Sequence, residues 1–140
     1  MRVHHSARLV GCVKIIGNEV DIGANTFVGH EVFIHGPVSI GKNCDIAPRV
    51  ILHGGTHCLG GVNKRAGPGV LNKVTIGDGV WIGVGSTIIA GVSIGAGSIV
   101  AAGSVVVRSF PENVLLAGVP AKAKRLLTSA PLLKREQPGE

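Results

Sequence analysis

The sequence predicts an all-β solenoid, a coil of short parallel strands stacked turn upon turn. Three observations carry that prediction. A large aliphatic residue recurs every six positions through Ile16, Ile22, Val28, Ile34, Ile40, Ile46 and Leu52. The same beat runs again through Val70, Ile76, Ile82, Ile88, Ile94 and Val100. Four positions beyond each lies a second inward candidate, mostly small: Val20, Thr26, Val32, Val38, Cys44, Val50 and Thr56 early, Val74, Val80, Ser86, Val92, Ser98 and Ser104 late. Aromatic residues are only 3% of a chain that is 45% hydrophobic, so its core must be aliphatic.

Each hexad supplies one strand, with the large aliphatic and the smaller residue facing inward. A glycine or small residue usually follows the aliphatic one and is expected to help turn the corner. A helix is excluded, because period six does not gather apolar residues on one face of a 3.6-residue turn. Three hexads per coil make a triangular prism, with residues 18 apart in sequence stacked about 4.8 Å from each other.

The elements follow in chain order. The beat can be read back to Val10, but Lys14 then falls where a small inward residue belongs. Residues 1–15 are therefore expected to be an irregular lead-in, and residues 16–107 the β-helix. One interruption, LHGGTHCLGGVNKRAGPGVLNKVTIGDGVW, separates Leu52 from Trp81. It is Gly-rich and basic, and predicts a protruding loop over about 58–69, starting directly after His57. Beyond Val107, Pro111 and Pro120 break the beat, and AKAKRLL reads as a short helix. Residues 108–128 are expected to form a closing strand and helix, and 129–140 a disordered or partner-draped tail.

Length and composition narrow the class. At 140 residues the chain is one domain. No apolar run approaches the roughly 18 residues of a membrane span, and Met1–Val10 lacks the apolar core of a secretory signal. Cys12, Cys44 and Cys58 are odd in number and form no CxxC, which suits reduced thiols and a cytoplasmic location. The net charge of +6 is concentrated in Lys64, Arg65 and Lys73 and in Lys122, Lys124, Arg125, Lys134 and Arg135. Basic clusters with so little aromatic interleaving suit a small polyanionic cofactor, not a nucleic-acid groove.

The hexads, together with IAPRVILHGGTH, an insertion and VTIGDGVWIGVGSTI, resemble the hexapeptide-repeat acyltransferases. The similarity is closest to the sugar O-acetyltransferase branch and covers roughly Ile22 to Arg125. It implies a left-handed parallel β-helix; the hand comes from the resemblance alone, since general crossover rules favour the right hand. It also implies an O-acetyltransferase that uses acetyl-CoA as co-substrate and needs no metal. A homotrimer with active sites between subunits is part of the same implication. Outward apolar residues such as Phe27, Phe33, Trp81, Ile89 and Ile99 fit an assembly of that kind.

In that branch the histidine matching His57 is the general base that deprotonates the acceptor hydroxyl. Imidazole is the side chain that titrates near neutral pH, as that task requires. The plainer alternative is a surface histidine on a loop hinge. The GGT before His57 offers backbone N–H groups for an oxyanion; Cys58 reads as a loop thiol. By the same resemblance Trp81 lines the acyl-CoA groove, and Gly83, Val84 and Ala102 contact the pantetheine arm. Arg108, Lys122 and Arg125 would face the coenzyme A phosphates, with Val107 beside the adenine end.

The acceptor region departs from the family pattern. Galactoside and maltose acetyltransferases carry acceptor-binding Asn and Asp residues ahead of the catalytic histidine, whereas this chain reads VGHEVFIHGP. His30, Glu31 and His35 are the expected acceptor contacts. The acceptor class is a sugar hydroxyl of a surface polysaccharide or its precursor, with a xenobiotic hydroxyl as alternative. His35 and His53, 18 residues apart, should stack on one outward face. The His30/His35 spacing also resembles the zinc pair of gamma-class carbonic anhydrases, but no third histidine lies two coils earlier. A noncatalytic scaffold is the remaining alternative.

Overall fold

A computed structural model describes residues 1–128 and shows a parallel β-solenoid of about 6 turns. It is the left-handed β-helix the resemblance implies, with three strand faces per coil. The first face stacks Arg2–Val3, Val20–Ile22, Val38–Ile40, Val74–Ile76 and Ser93–Ile94 in parallel register. The third stacks Lys14–Ile16, Phe33–His35, Ile51–His53, Thr87–Ile88 and Val105–Val106. Between them, the second face runs from Arg8–Leu9 to Ile99–Val100 and is extended by Val114–Gly118 and Ala121–Leu126.

Alternation decides what is buried. Ile22, Ile34, Ile46, Leu52, Ile82 and Ile88 form a dry column of large aliphatics, with Val20, Val32, Val50, Val80 and Val92 as their smaller partners. Thr26, Ser86, Ser98 and Ser104 occupy small inward positions and are buried. Their hydroxyls donate to carbonyls of Gly41 (2.7 Å), Ala101 (3.0 Å), Pro111 (3.2 Å) and Ala101 again (2.6 Å). A buried hydroxyl without a partner would cost about 1–3 kcal/mol, so these bonds are why polar residues are tolerated inside.

The glycines after the aliphatic residues do a different job from the one expected. At most corners the left-handed residue comes three positions after the aliphatic one, at Asn25, Glu31, Asn43, Arg49, Gly79, Gly85, Gly91, Gly97 and Gly103. The glycine directly after the aliphatic residue is required by coil stacking. A Cβ at Gly83 would sit 2.5 Å from the Ala102 nitrogen, and one at Gly77 2.5 Å from the Ala96 nitrogen.

Four expectations are corrected. Residues 1–15 are not an irregular lead-in but most of a first coil, paired in parallel with the second. Its register is one residue off the sequence beat: Val3, Leu9 and Ile15 pair with Ile22, Val28 and Ile34, 19 residues on. Ala7, Val13 and Ile15 pack against the core, so Lys14 and Ile16 point out. The single extra residue before the second coil explains the slip.

The protrusion is a β-hairpin, Gly55–Leu59 against Ala66–Leu71, longer than the 58–69 loop expected. Thr56 and Val70 pair with each other on that hairpin and do not continue the core beat. Finally, Ala121–Leu126 is a strand antiparallel to Val114–Gly118, not a helix. Edge pairing on the second sheet satisfies its backbone groups and overrides the local helical propensity of Ala, Lys and Arg. The tail expected over 129–140 lies outside the described residues.

Candidate active site

His57 leaves the prism on the first strand of the hairpin, opposite Gly69, and is exposed. It therefore sits within the protrusion, not at a corner before it. Its Nδ1 lies 2.9 Å from the Gly67 carbonyl oxygen. A carbonyl only accepts, so Nδ1 carries the proton and donates. The lone pair is left on Nε2.

Beside it lies a cleft of about 270 Å³ whose walls include His35, His53, Gly55, Thr56 and His57. His35 and His53 pair in register on the third face, as expected, and their rings are tilted by 32° with centroids 4.5 Å apart. His35 thus joins His57 in one cleft. His30 and Glu31 do not line it: they occupy the corner between second and third faces, Glu31 with its Oε2 3.9 Å from Arg49 Nε. Sequence reasoning passed over His53 and Gly55. The 18-residue step to His35 already marked His53, but nothing local marked Gly55.

A second cleft of about 520 Å³ runs along the second face, lined by Trp81, Gly83, Val84, Ile99, Ala102 and Leu115 among others. Four of the expected cofactor residues thus share one apolar groove. Trp81 is 51% exposed there despite being large and aromatic. Gly83 itself is buried, and the next coil's backbone explains its lack of a side chain. Trp81, Ile99, Leu115 and Arg125 form one register row across four strands. Lys122 lies on the same edge strand as Arg125. Val107 is exposed, and the Arg108 guanidinium sits 4.7 Å above the Phe110 ring. The two clefts share no lining residue within one chain.

The sequence profile of the bacterial transferase hexapeptide family (six repeats) matches residues 19–54 and 73–108, just over half of the chain. The chain belongs to that hexapeptide-repeat family. A Dictyostelium discoideum protein named an acetyltransferase is 45% identical over 111 residues, 74% of this chain and 58% of that protein. A hexapeptide-repeat acetyltransferase of Vibrio cholerae, solved with acetyl coenzyme A, is 32% identical with a TM-score of 0.77, over 86% of this chain and 71% of the other. A galactoside acetyltransferase solved with coenzyme A is also 32% identical, with a TM-score of 0.76, over 87% of this chain and 64% of the other. The chain spans 58% of the length of the curated relatives it matches. Among the described residues of this hexapeptide-repeat protein, no group of three or more His, Cys, Asp or Glu could hold a metal ion. No helix there is long and apolar enough to cross a membrane.

Proposed function

We propose that the protein is an acetyl-CoA-dependent O-acetyltransferase that acetylates a sugar hydroxyl, with His57 as general base. The observation that carries this is the hydrogen bond from His57 Nδ1–H to the Gly67 carbonyl at 2.9 Å, which leaves an Nε2 lone pair beside a cleft. In the reaction the acceptor oxygen attacks the thioester carbonyl carbon while Nε2 takes the hydroxyl proton. The resulting oxyanion collapses, the C–S bond breaks, and the proton passes from His57 to the departing thiolate. Relatives solved with acetyl coenzyme A and coenzyme A support the donor. A galactoside acetyltransferase among them supports the acceptor class.

The groove holding Trp81 suits the pantetheine arm, an extended and weakly polar chain, with Lys122 and Arg125 at its edge for phosphates. Because base and groove line separate clefts in one chain, the complete site is assembled between copies, most simply in a homotrimer. His30 and Glu31, on the corner that borders the groove, then face the acceptor from a neighbouring copy. Three free thiols support a cytoplasmic location.

The test is release of free coenzyme A from acetyl-CoA over a panel of hydroxyl acceptors, corrected for hydrolysis. Acceptor-dependent release with an O-acetyl product is the expected result. Acetyl-CoA binding without transfer to any hydroxyl would overturn the O-acetyltransferase assignment.

A further inference from the structure

His35 Nδ1 is buried without a hydrogen-bond partner. The ring is half-buried, and its other nitrogen is not sealed; His35 lines the cleft that also contains His57. Gly55 closes over the sealed side. A Cβ built there would lie 2.9 Å from His35 Cε1, 3.0 Å from His35 Nδ1 and 3.1 Å from His53 Cε1. Of the two neutral tautomers, one buries a bare N–H donor and the other a lone pair facing a Cα–H group. An N–H without an acceptor is the costlier of the two, since the lone pair at least meets a weak C–H donor. The proton therefore resides on Nε2, toward the cleft.

His53 holds this arrangement. Its Nδ1 is 2.8 Å from the Gly55 carbonyl oxygen and 3.2 Å from the Gly55 nitrogen, and the closer contact requires Nδ1–H. Its ring lies 4.5 Å from the His35 ring and 6.1 Å from the Phe33 ring, both on the adjacent strand Phe33–His35. His35 cannot easily swing without disturbing both His53 and the base of the hairpin that carries His57.

We propose that His35 is a specificity-determining residue whose Nε2–H donates to an acceptor oxygen neighbouring the hydroxyl that His57 deprotonates. The cleft then offers one donor and one base within about 270 Å³, so a small group that reaches one reaches the other. The acceptor class is a compound with two adjacent oxygens, such as a sugar vicinal diol, not an isolated alcohol. His53 is a positioning residue for His35. This rests on the O-acetyltransferase reading for its substrate, but not for its tautomer.

Two measurements decide it. Long-range proton–nitrogen NMR of the full chain should show His35 protonated at Nε2 and His57 at Nδ1; a proton on His35 Nδ1 would overturn the proposal whether or not any acceptor is turned over. Kinetics with acetyl-CoA and a panel of methyl glycopyranosides and their monodeoxy counterparts test the contact. His35→Gln, whose amide nitrogen reaches the Nε2 position, should keep the acceptor KM within about threefold of the parent, whereas His35→Asn should raise it about tenfold, the size of one neutral hydrogen bond. Removing the neighbouring hydroxyl from the acceptor should cost the parent a similar factor and His35→Asn nothing further. Equal losses for Gln and Asn, or a deoxy penalty as large in His35→Asn as in the parent, would overturn it. Failure of the underlying activity looks different: the parent releases no coenzyme A with any hydroxyl.

Discussion

Trp81 and Arg125 share one register row of the second sheet, with Ile99 and Leu115 between them. The row joins an apolar groove floor to a basic strand edge, the order of chemistry along coenzyme A from pantetheine to phosphate. Replacing Lys122 and Arg125 together by Ala should weaken coenzyme A binding about tenfold or more, as loss of charge-assisted contacts does. Titration calorimetry at low and high salt should show the difference shrinking as screening grows. An unchanged dissociation constant would remove these bases from the phosphate site.

His57 should separate chemistry from binding. His57→Ala should lower turnover about 10²–10⁴-fold while coenzyme A affinity and particle mass stay as in the parent. Acetyl transfer that survives this substitution across the pH range would eliminate the general-base assignment.

The hairpin base should be intolerant where its tip is not. Gly55→Ala presses a methyl group into the His35 and His53 imidazoles, whereas nothing lies within 4 Å of a Cβ at Gly61. Gly55→Ala should lose melting temperature and turnover, and Gly61→Ala should lose neither. Thermal scans and initial rates on the pair would show it; equal tolerance at both positions would contradict the packing described.

The register of the first coil can be read from stability. Ile82→Ala, in the dry core, should cost about 2–5 kcal/mol. Ile15→Ala should cost more than Ile16→Ala, because Ile15 packs on the core and Ile16 points out. Denaturant unfolding in which Ile16→Ala is the more damaging would restore the unshifted beat.

Thiol chemistry gives a fourth contrast. Cys12 and Cys58 are exposed, while Cys44 is buried with Sγ 3.1 Å from the Gly77 carbonyl oxygen. Burial pushes the Cys44 thiol up from its ordinary pKa. Two thiols should react quickly with a disulfide reagent in the native protein and the third only on unfolding. A folded-state pKa above the unfolded one means Cys44 supports stability fully below the ordinary thiol range. That support is lost as pH rises through the raised value. Three equally fast thiols would show that the coil opens at Cys44.

The six-residue beat determined the architecture by itself, because a parallel coil requires the same inward residue at every turn and the chain writes it into local order. Resemblance in the stretches around His57 and Trp81 extended that to a family and to candidate residues. What the sequence could not settle were effects of relative position. The one-residue slip at Ile15 and Ile16 depends on which strand the second coil offers as a partner, and both residues are isoleucine. The closing segment Ala121–Leu126 is helical by propensity and a strand by edge pairing. His57's tautomer depends on a carbonyl ten residues away, at Gly67, brought near only by the hairpin. The sealed nitrogen of His35 likewise depends on Gly55 closing over it. Periodicity is a local property repeated, so it is legible in order; a hydrogen bond across a hairpin is a distance, and only the folded chain has distances.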